Sequence, residues 1–271
     1  MDSSQDAQAS ADFGLSGQVA IVTGGTDGIG FGIAKALGAA GVKVVVASRR
    51  PEMCQRAEQA LATAGAESLG VPTDVTSEET IANLFSQTVD RFGGVDILVN
   101  CAGGSFSDKF RRARLLELGG EDLIEAFRLN VVSSFLCSSM AYPLMQSRGG
   151  GSIINISSVG GDNAGAAGMF AAYGASKAAL NHITRSLASE FAPLIRVNGV
   201  LPGLIDTPRT SASRTPERHA SQVSEIALGR IGVPGDVAGT VLFLASQLAS
   251  WITGALWRVD GGGGLVPGTG R

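Results

Sequence analysis

Val19-Ala20-Ile21-Val22 is a continuous apolar run that ends in a glycine turn, Thr23-Gly24-Gly25-Thr26-Asp27-Gly28-Ile29-Gly30. The turn leads straight into a helical pattern through Ile33, Ala34, Leu37 and Ala40. A strand that is apolar at every position is buried on both faces, and a parallel sheet covered by helices provides that environment. The alternation continues along the chain. Val42–Val46, Ser68–Val71, Val95–Val99, Ser152–Ile156, Arg196–Leu201 and Ala255–Val259 read as strands. Helical spacing appears at 52–64, at Ile81–Phe92, over 121–147 and over 172–191, with Pro193 closing the last. The fold class that follows is α/β, a Rossmann-type doubly wound parallel sheet with helices on both faces. Residues 15–271 are expected to form one domain, and the polar residues 1–14 a flexible tail.

Composition narrows the function classes. The 271 residues are 44% hydrophobic and 17% charged, too apolar for a disordered chain. With 21 basic against 24 acidic residues, net −3, no strong positive field is available for nucleic acid. Three widely spaced cysteines (Cys54, Cys101, Cys137) and two histidines (His182, His219) suit neither a disulfide framework nor a histidine-rich metal site, so no metal is expected. The N-terminus lacks the basic and apolar regions of a secretory signal. No apolar stretch approaches the ~20 residues of a membrane helix. A cytoplasmic protein with no membrane partner is expected.

The first strand–helix turn carries glycines at positions 24, 28 and 30, a G-x-x-x-G-x-G pattern. Glycine lets a backbone approach a pyrophosphate closely, and the helix N-terminus offers a positive dipole end. Residues 24 and 26–30 are therefore candidate dinucleotide contacts. The second strand ends in Ala47-Ser48-Arg49-Arg50. An acidic residue here would favour the ribose hydroxyl of NAD. Ser48 offers no carboxylate, and the guanidinium of Arg49 suits the 2′-phosphate of NADP. NADP(H) is the expected cofactor. NAD(H) stays open, because Asp27 can bring a negative charge near the same phosphate.

Tyr173-Gly-Ala-Ser-Lys177 places a phenol and an ammonium on one helical face, a turn apart. A free tyrosine titrates near 10, and lowering that by ~3 units takes about 4 kcal/mol. A cation at ~4 Å in an effective dielectric near 20 supplies roughly that much. With the glycine turn, this pair resembles the short-chain dehydrogenase/reductase family, and the resemblance spans about residues 15–262. Thr23–Gly30 matches the family's glycine turn, and Asp74-Val75 its adenine contact. Asn100-Cys101-Ala102-Gly103 is similar to the N-N-A-G motif, with cysteine in the second place. Asn130, Ser158, Tyr173 and Lys177 match the catalytic set, with Ser157 competing for the serine. Pro202-Gly203, Ile205 and Thr207 match the segment around the nicotinamide.

The resemblance implies hydride transfer between NADP(H) and a carbonyl or secondary alcohol of a small molecule. Tyr173 would be the acid–base group and Ser158 the stabiliser of the developing alkoxide. Lys177 would lower the tyrosine and hold the ribose, and Asn130 would connect the lysine to solvent through water. A ketone or 3-oxoacyl thioester reductase is expected. The alternatives are an NAD-dependent alcohol, sugar or hydroxysteroid dehydrogenase and a non-catalytic nucleotide-sensing homologue. A serine hydrolase built on Gly174-Ala-Ser176 fits poorly, since the motif lacks its last glycine and lies in a helical pattern.

Several stretches depart from the family pattern. Asn100 and Asn130 are farther apart than the family spacing suggests. The extra segment holds Lys109-Phe-Arg-Arg-Ala-Arg114, either a solvated edge or an anion-binding rim. The Gly160–Met169 stretch is rich in small residues and suits a roomy pocket. Residues 206–226 read as a polar substrate lid that is disordered or closes on binding. Helices 121–147 and 172–191 would carry the faces of a homotetramer. Trp251 and Trp257 fit either core or interface.

Overall fold

The structure, a computed structural model, describes residues 13–162, 169–212, 214–263 and 265. The expected tail over residues 1–12 and the small-residue stretch at 163–168 lie outside the described residues.

Seven strands form one sheet: β1 (Val19–Thr23), β2 (Lys43–Ser48), β3 (Ser68–Pro72), β4 (Ile97–Asn100), β5 (Gly151–Ile156), β6 (Ile195–Pro202) and β7 (Leu256–Val259). Their order is β3-β2-β1-β4-β5-β6-β7, and every pairing is parallel. Successive side chains of a strand point to opposite faces. Ala20, Val22, Val44 and Val46 therefore pack into one core with Ile33, Leu37, Val241 and Leu244. Ile21, Val45 and Ala47 pack into the other, with Leu84, Met145 and Leu187.

The helices that supply those residues are α1 (Gly28–Ala39), α2 (Pro51–Thr63), α3 (Glu78–Phe92), α4 (Gly120–Phe127), α5 (Ser133–Ser147), α6 (Ala171–Phe191), α7 (Pro208–Ser211), α8 (Pro216–Ser224) and α9 (Pro234–Ala245). Their ends follow local chemistry. α3 starts at Ser77, whose hydroxyl accepts from the Thr80 N–H, carries Glu78 and Glu79 in its first turn, and stops at Gly93 with φ +85°.

The structure departs from the sequence reading or adds to it in three places. The helix expected over 121–147 is interrupted: α4 and α5 are joined by a π-helical turn at Arg128–Val132. Backbone dihedrals stay helical across the turn, so hydrophobic spacing alone does not reveal it. Among the described residues of 206–226 lie α7 and α8, and Arg214 pairs with Asp206 at 2.8 Å. The apolar helix α9 packs along α1 and completes the first core. Its start is marked only by Pro234 and by Asp236, whose carboxylate accepts from the Val233 N–H at 2.7 Å.

Strand order reverses between β1 and β4, which opens a crevice beyond their carboxyl ends.

Candidate active site

Thr23, Asn100 and Asn155 stand side by side in register at the ends of β1, β4 and β5. The Thr23 hydroxyl accepts from the backbone N–H groups of Cys101 and Ala102, each at 3.1 Å, and so binds the end of β1 to the loop after β4. Asn100 Nδ2 donates to Asn155 Oδ1 at 2.9 Å, Ser138 Oγ at 3.1 Å and the Ser134 carbonyl at 3.3 Å. Its side-chain amine is thus occupied in the buried layer between the sheet and α5. Asn155 continues the chain, donating to Thr184 Oγ1 of α6 at 2.9 Å.

The glycine turn is packed to contact. Gly24 has φ +65°, and a Cβ there would stand 3.0 Å from the Ala102 backbone. On Gly30 a Cβ would stand 2.2 Å from the Gly24 carbonyl oxygen. On Gly28, with φ +52°, a Cβ would stand 3.3 Å from the Thr207 methyl carbon. Asp27 caps α1, its carboxylate accepting from the Gly28 N–H at 2.7 Å. Thr26 and Ile29 are half-buried beside it. The loop after β6 thus closes over the turn. Gly203 N–H donates to the Val259 carbonyl at 3.0 Å just past Pro202, Ile205 is buried, and Thr207 caps α7. These donors fit a dinucleotide, with a tight glycine turn at a helix N-terminus opening into the crevice at the strand-order reversal.

At the end of β2, Ser48 Oγ lies 3.4 Å from Cys54 Sγ, and Arg50 is the exposed residue before α2. Arg49 Nη1 is 3.7 Å from Asp108, and both side chains are exposed. Asp74 accepts from the Thr76 N–H at 2.9 Å and the Thr76 hydroxyl at 2.7 Å, with Val75 buried next to it. Burial pushes the Asp74 carboxyl up, but the two Thr76 bonds and the charges of Arg49 and Lys109 bring it below its ordinary value. The carboxylates near Arg49 are therefore Asp108 and Asp74. An exposed pair like Arg49–Asp108 is worth about 1 kcal/mol or less, so a phosphate can displace Asp108.

α6, the end of β5 and the π-helical turn assemble the catalytic candidates. The Ser158 hydroxyl bonds the Tyr173 phenol and accepts from the Gly160 N–H at 3.1 Å. Ser157, its competitor, is buried and donates to the Lys177 carbonyl at 3.2 Å. Asn130 is fully buried. Its Oδ1 accepts from the Gly104 N–H at 3.0 Å, while Nδ2 donates to the Gly104 carbonyl at 3.0 Å and to Ser176 Oγ at 3.2 Å. Ser176 in turn donates to the Tyr173 carbonyl at 2.7 Å. A Cβ on Gly103 would stand 2.7 Å from Asn130 Oδ1 and 3.4 Å from Lys177 Nζ, so glycine there lets the two approach. Ser176, the nucleophile of the hydrolase alternative, is buried within α6 and sits on no strand-to-helix elbow.

The electrostatics depart from the expectation for the Tyr–Lys pair. Lys177 Nζ donates to the Ile156 carbonyl at 2.9 Å and stands 5.8 Å from the centre of the Tyr173 ring. Burial lowers Lys177 to about 8, Cys101 opposing and Arg209 reinforcing the change. Burial raises the Tyr173 phenol above its ordinary value. The Ser158 bond and the Arg209 charge pull the other way, and Cys101 adds to the rise. The cation that offsets the burial of the phenol is Arg209, and the net direction without cofactor is upward. Cys101 itself is pushed up to about 11 by burial.

Sequence reasoning missed Ser176 and Gly104 as supports of Asn130, and Arg209 as a charge on the phenol. Ser176 was within reach, three residues beyond Tyr173 on one helical face. Arg209 belongs to a different element, and no spacing rule connects it to α6.

Residues 24–263 match the family model described as enoyl-(acyl carrier protein) reductase. The chain is 35% identical over 250 residues to 7alpha-hydroxysteroid dehydrogenase of Escherichia coli, covering 92% of this chain and 95% of that one. It is 38% identical over 252 residues to 3-oxoacyl-[acyl-carrier-protein] reductase of Aquifex aeolicus, covering 92% and 98%. A solved structure of 7 alpha-hydroxysteroid dehydrogenase, complexed with NADH and 7-oxo glycochenodeoxycholic acid, superposes with a TM-score of 0.87 at 34% identity over 93% of this chain and 96% of that one.

Proposed function

The chain belongs to the short-chain dehydrogenase/reductase family, NAD(P)-dependent oxidoreductases of CH–OH and C=O groups, and on that premise we propose that it uses NADPH to reduce a ketone or a 3-oxoacyl thioester. The observation that carries this reading is the meeting of Ser158 and Tyr173, whose Oγ and ring stand 3.4 and 3.9 Å from where a Cβ on Gly160 would lie. A phenol is protonated at neutral pH and burial favours that form further, so Tyr173 is a proton donor, the form that carbonyl reduction consumes. Ser158 stabilises the developing alkoxide. Lys177 would hold the ribose hydroxyls, and Asn130, bonded to Gly104 and Ser176, would keep the loop after β4 and α6 in place around it. The nicotinamide, when bound, supplies the hydride.

Preference for NADPH rests on Arg49 and Arg50 after β2, where no residue supplies a carboxylate for the ribose hydroxyls. The hydroxysteroid relative was solved with NADH, so an NAD-dependent steroid or alcohol dehydrogenase is the second reading. Exposed apolar side chains on α4 and α5 (Ile124, Phe135, Met140) and the exposed Trp251 support a homotetramer. Light scattering on the purified protein tests that assembly. For the activity, the deciding assay follows NADPH and NADH consumption against a panel of neutral ketones, a 3-oxoacyl thioester and a 7-oxo steroid. Consumption of NADPH with at least one carbonyl, several-fold faster than of NADH, is expected. Indifference of both cofactors to the whole panel overturns the reading.

A further inference from the structure

Two arginines stand at the substrate end of the crevice with no carboxylate partner among the described residues. Arg112 lies over the ring of Phe170, 4.3 Å from its centre, and 5.1 Å from that of Phe106, while its Nη2 donates to Ser105 Oγ at 2.8 Å. The Phe170 ring meets the Tyr173 ring edge-on at 6.5 Å. Arg209 Nη1 comes within 3.4 Å of where a Cβ on Gly104 would stand, and Gly104 is the residue Asn130 grips. Arg218 on α8 is close enough that its charge and that of Arg209, after burial, lower Arg112.

The neighbouring charges are otherwise matched. Arg111 pairs with Asp122 at 3.6 Å and donates to the Glu117 carbonyl. Arg214 pairs with Asp206, and Asp108 with Arg49. The Glu217 carboxylate is held by Thr215 and by its own backbone. Like charges converging on one opening repel until an anion joins them, and the guanidinium fork suits a planar oxyanion. The rim anticipated in the basic segment thus centres on Arg112 with Arg209 of α7, not on Arg111.

We propose that Arg112 and Arg209 bind an anionic oxygen group, carboxylate or phosphate, carried by the carbonyl substrate. This rests on the oxidoreductase reading and names the substrate class. Each charged contact is worth roughly tenfold or more in affinity.

Matched pairs of carbonyl compounds test it. Levulinate and methyl levulinate differ in a carboxylate; acetoacetyl-CoA and the acetoacetyl thioester of N-acetylcysteamine differ in phosphates. Wild type is expected to favour the charged member of at least one pair by roughly tenfold in kcat/KM, and the pair that responds identifies the group. R112Q and R209Q should each lower that ratio about fivefold or more through KM, whereas R111Q should leave it unchanged. Equal handling of both members by wild type overturns the proposal. So does a rise in the KM for NADPH in R209Q with the ratio intact, or an equal effect of R111Q. Calorimetric titration of the four compounds into NADP-loaded protein gives the same comparison without turnover. Preferential binding of a charged member without reduction of any carbonyl defeats the oxidoreductase reading alone. Absence of that preference defeats the anion site alone.

Discussion

The two walls of the crevice are built from different materials. On the glycine-turn wall, backbone meets backbone. Gly24 touches Ala102, Gly30 touches Gly24, and the Thr23 hydroxyl receives two N–H groups, all at the ends of wholly buried strands. On the opposite wall, long side chains from the 104–118 loop and from α7–α8 do the lining, and much of that surface is exposed. A wall of backbone has one shape, because a single added methyl collides with it. A wall of arginine and phenylalanine can be re-lettered without disturbing the sheet. The difference teaches that this chain commits rigidly to the class of its cofactor and leaves the identity of its substrate to replaceable side chains.

The comparison can be broken first where the walls meet. Tyr173→Phe removes the proton donor without altering packing, and a loss of roughly 10³-fold or more in kcat is expected, with NADPH affinity retained. Steady-state kinetics with a fluorescence titration of NADPH checks both halves. Next comes a contrast of two glycines. Gly30→Ala forces a methyl to 2.2 Å from a carbonyl oxygen and should weaken NADPH by about 100-fold through misplacement of the turn. Gly120→Ala meets nothing within 4 Å and should leave NADPH binding within about twofold.

A third prediction concerns burial at the junction. Lys177 titrates at about 8 in the folded protein against 10.5 when free. The unfolded chain therefore binds the extra proton between those values, and stability rises with pH across that window. Between pH 8 and 10.5 the stability of the cofactor-free protein relative to K177M should grow by on the order of 3 kcal/mol, the buried Cys101 and Cys137 thiols, raised to about 11 and about 12, opposing the rise equally in both proteins. A window identical in K177M would show that the lysine is hydrated. The smallest effect is at the outer end of the glycine wall. Arg49→Gln should raise the KM for NADPH by roughly tenfold and leave that for NADH nearly unchanged.

How far the sequence could be read follows the range of the interactions. The strands announce themselves because burial on both faces writes an uninterrupted apolar run, as at Val44–Val46. The glycine turn and the Tyr173–Lys177 spacing are equally plain, being local. The π-helical turn at Asn130 was hidden, because one extra residue per turn leaves the apolar pattern almost intact. The direction of the Lys177 side chain was hidden too: its spacing from Tyr173 is set by the helix, but its ammonium goes to Ile156 on another element. The partners of Asn100 were hidden as well: its side-chain amide donates to Ser134, Ser138 and Asn155 of elements far along the chain.

By itself the sequence determined the alternation of strand and helix, the glycine turn after β1 and the presence of a phenol and an amine on one helical face. Each of these depends on the side chains of a few adjacent residues and on backbone geometry that any context would respect. Only the tertiary structure decided which serine meets the phenol, where the lysine's charge rests, and that arginines from two separate loops converge on one opening. Those outcomes depend on burial and on charge across space, and no stretch of chain carries information about the solvent it will lose or the neighbours it will gain.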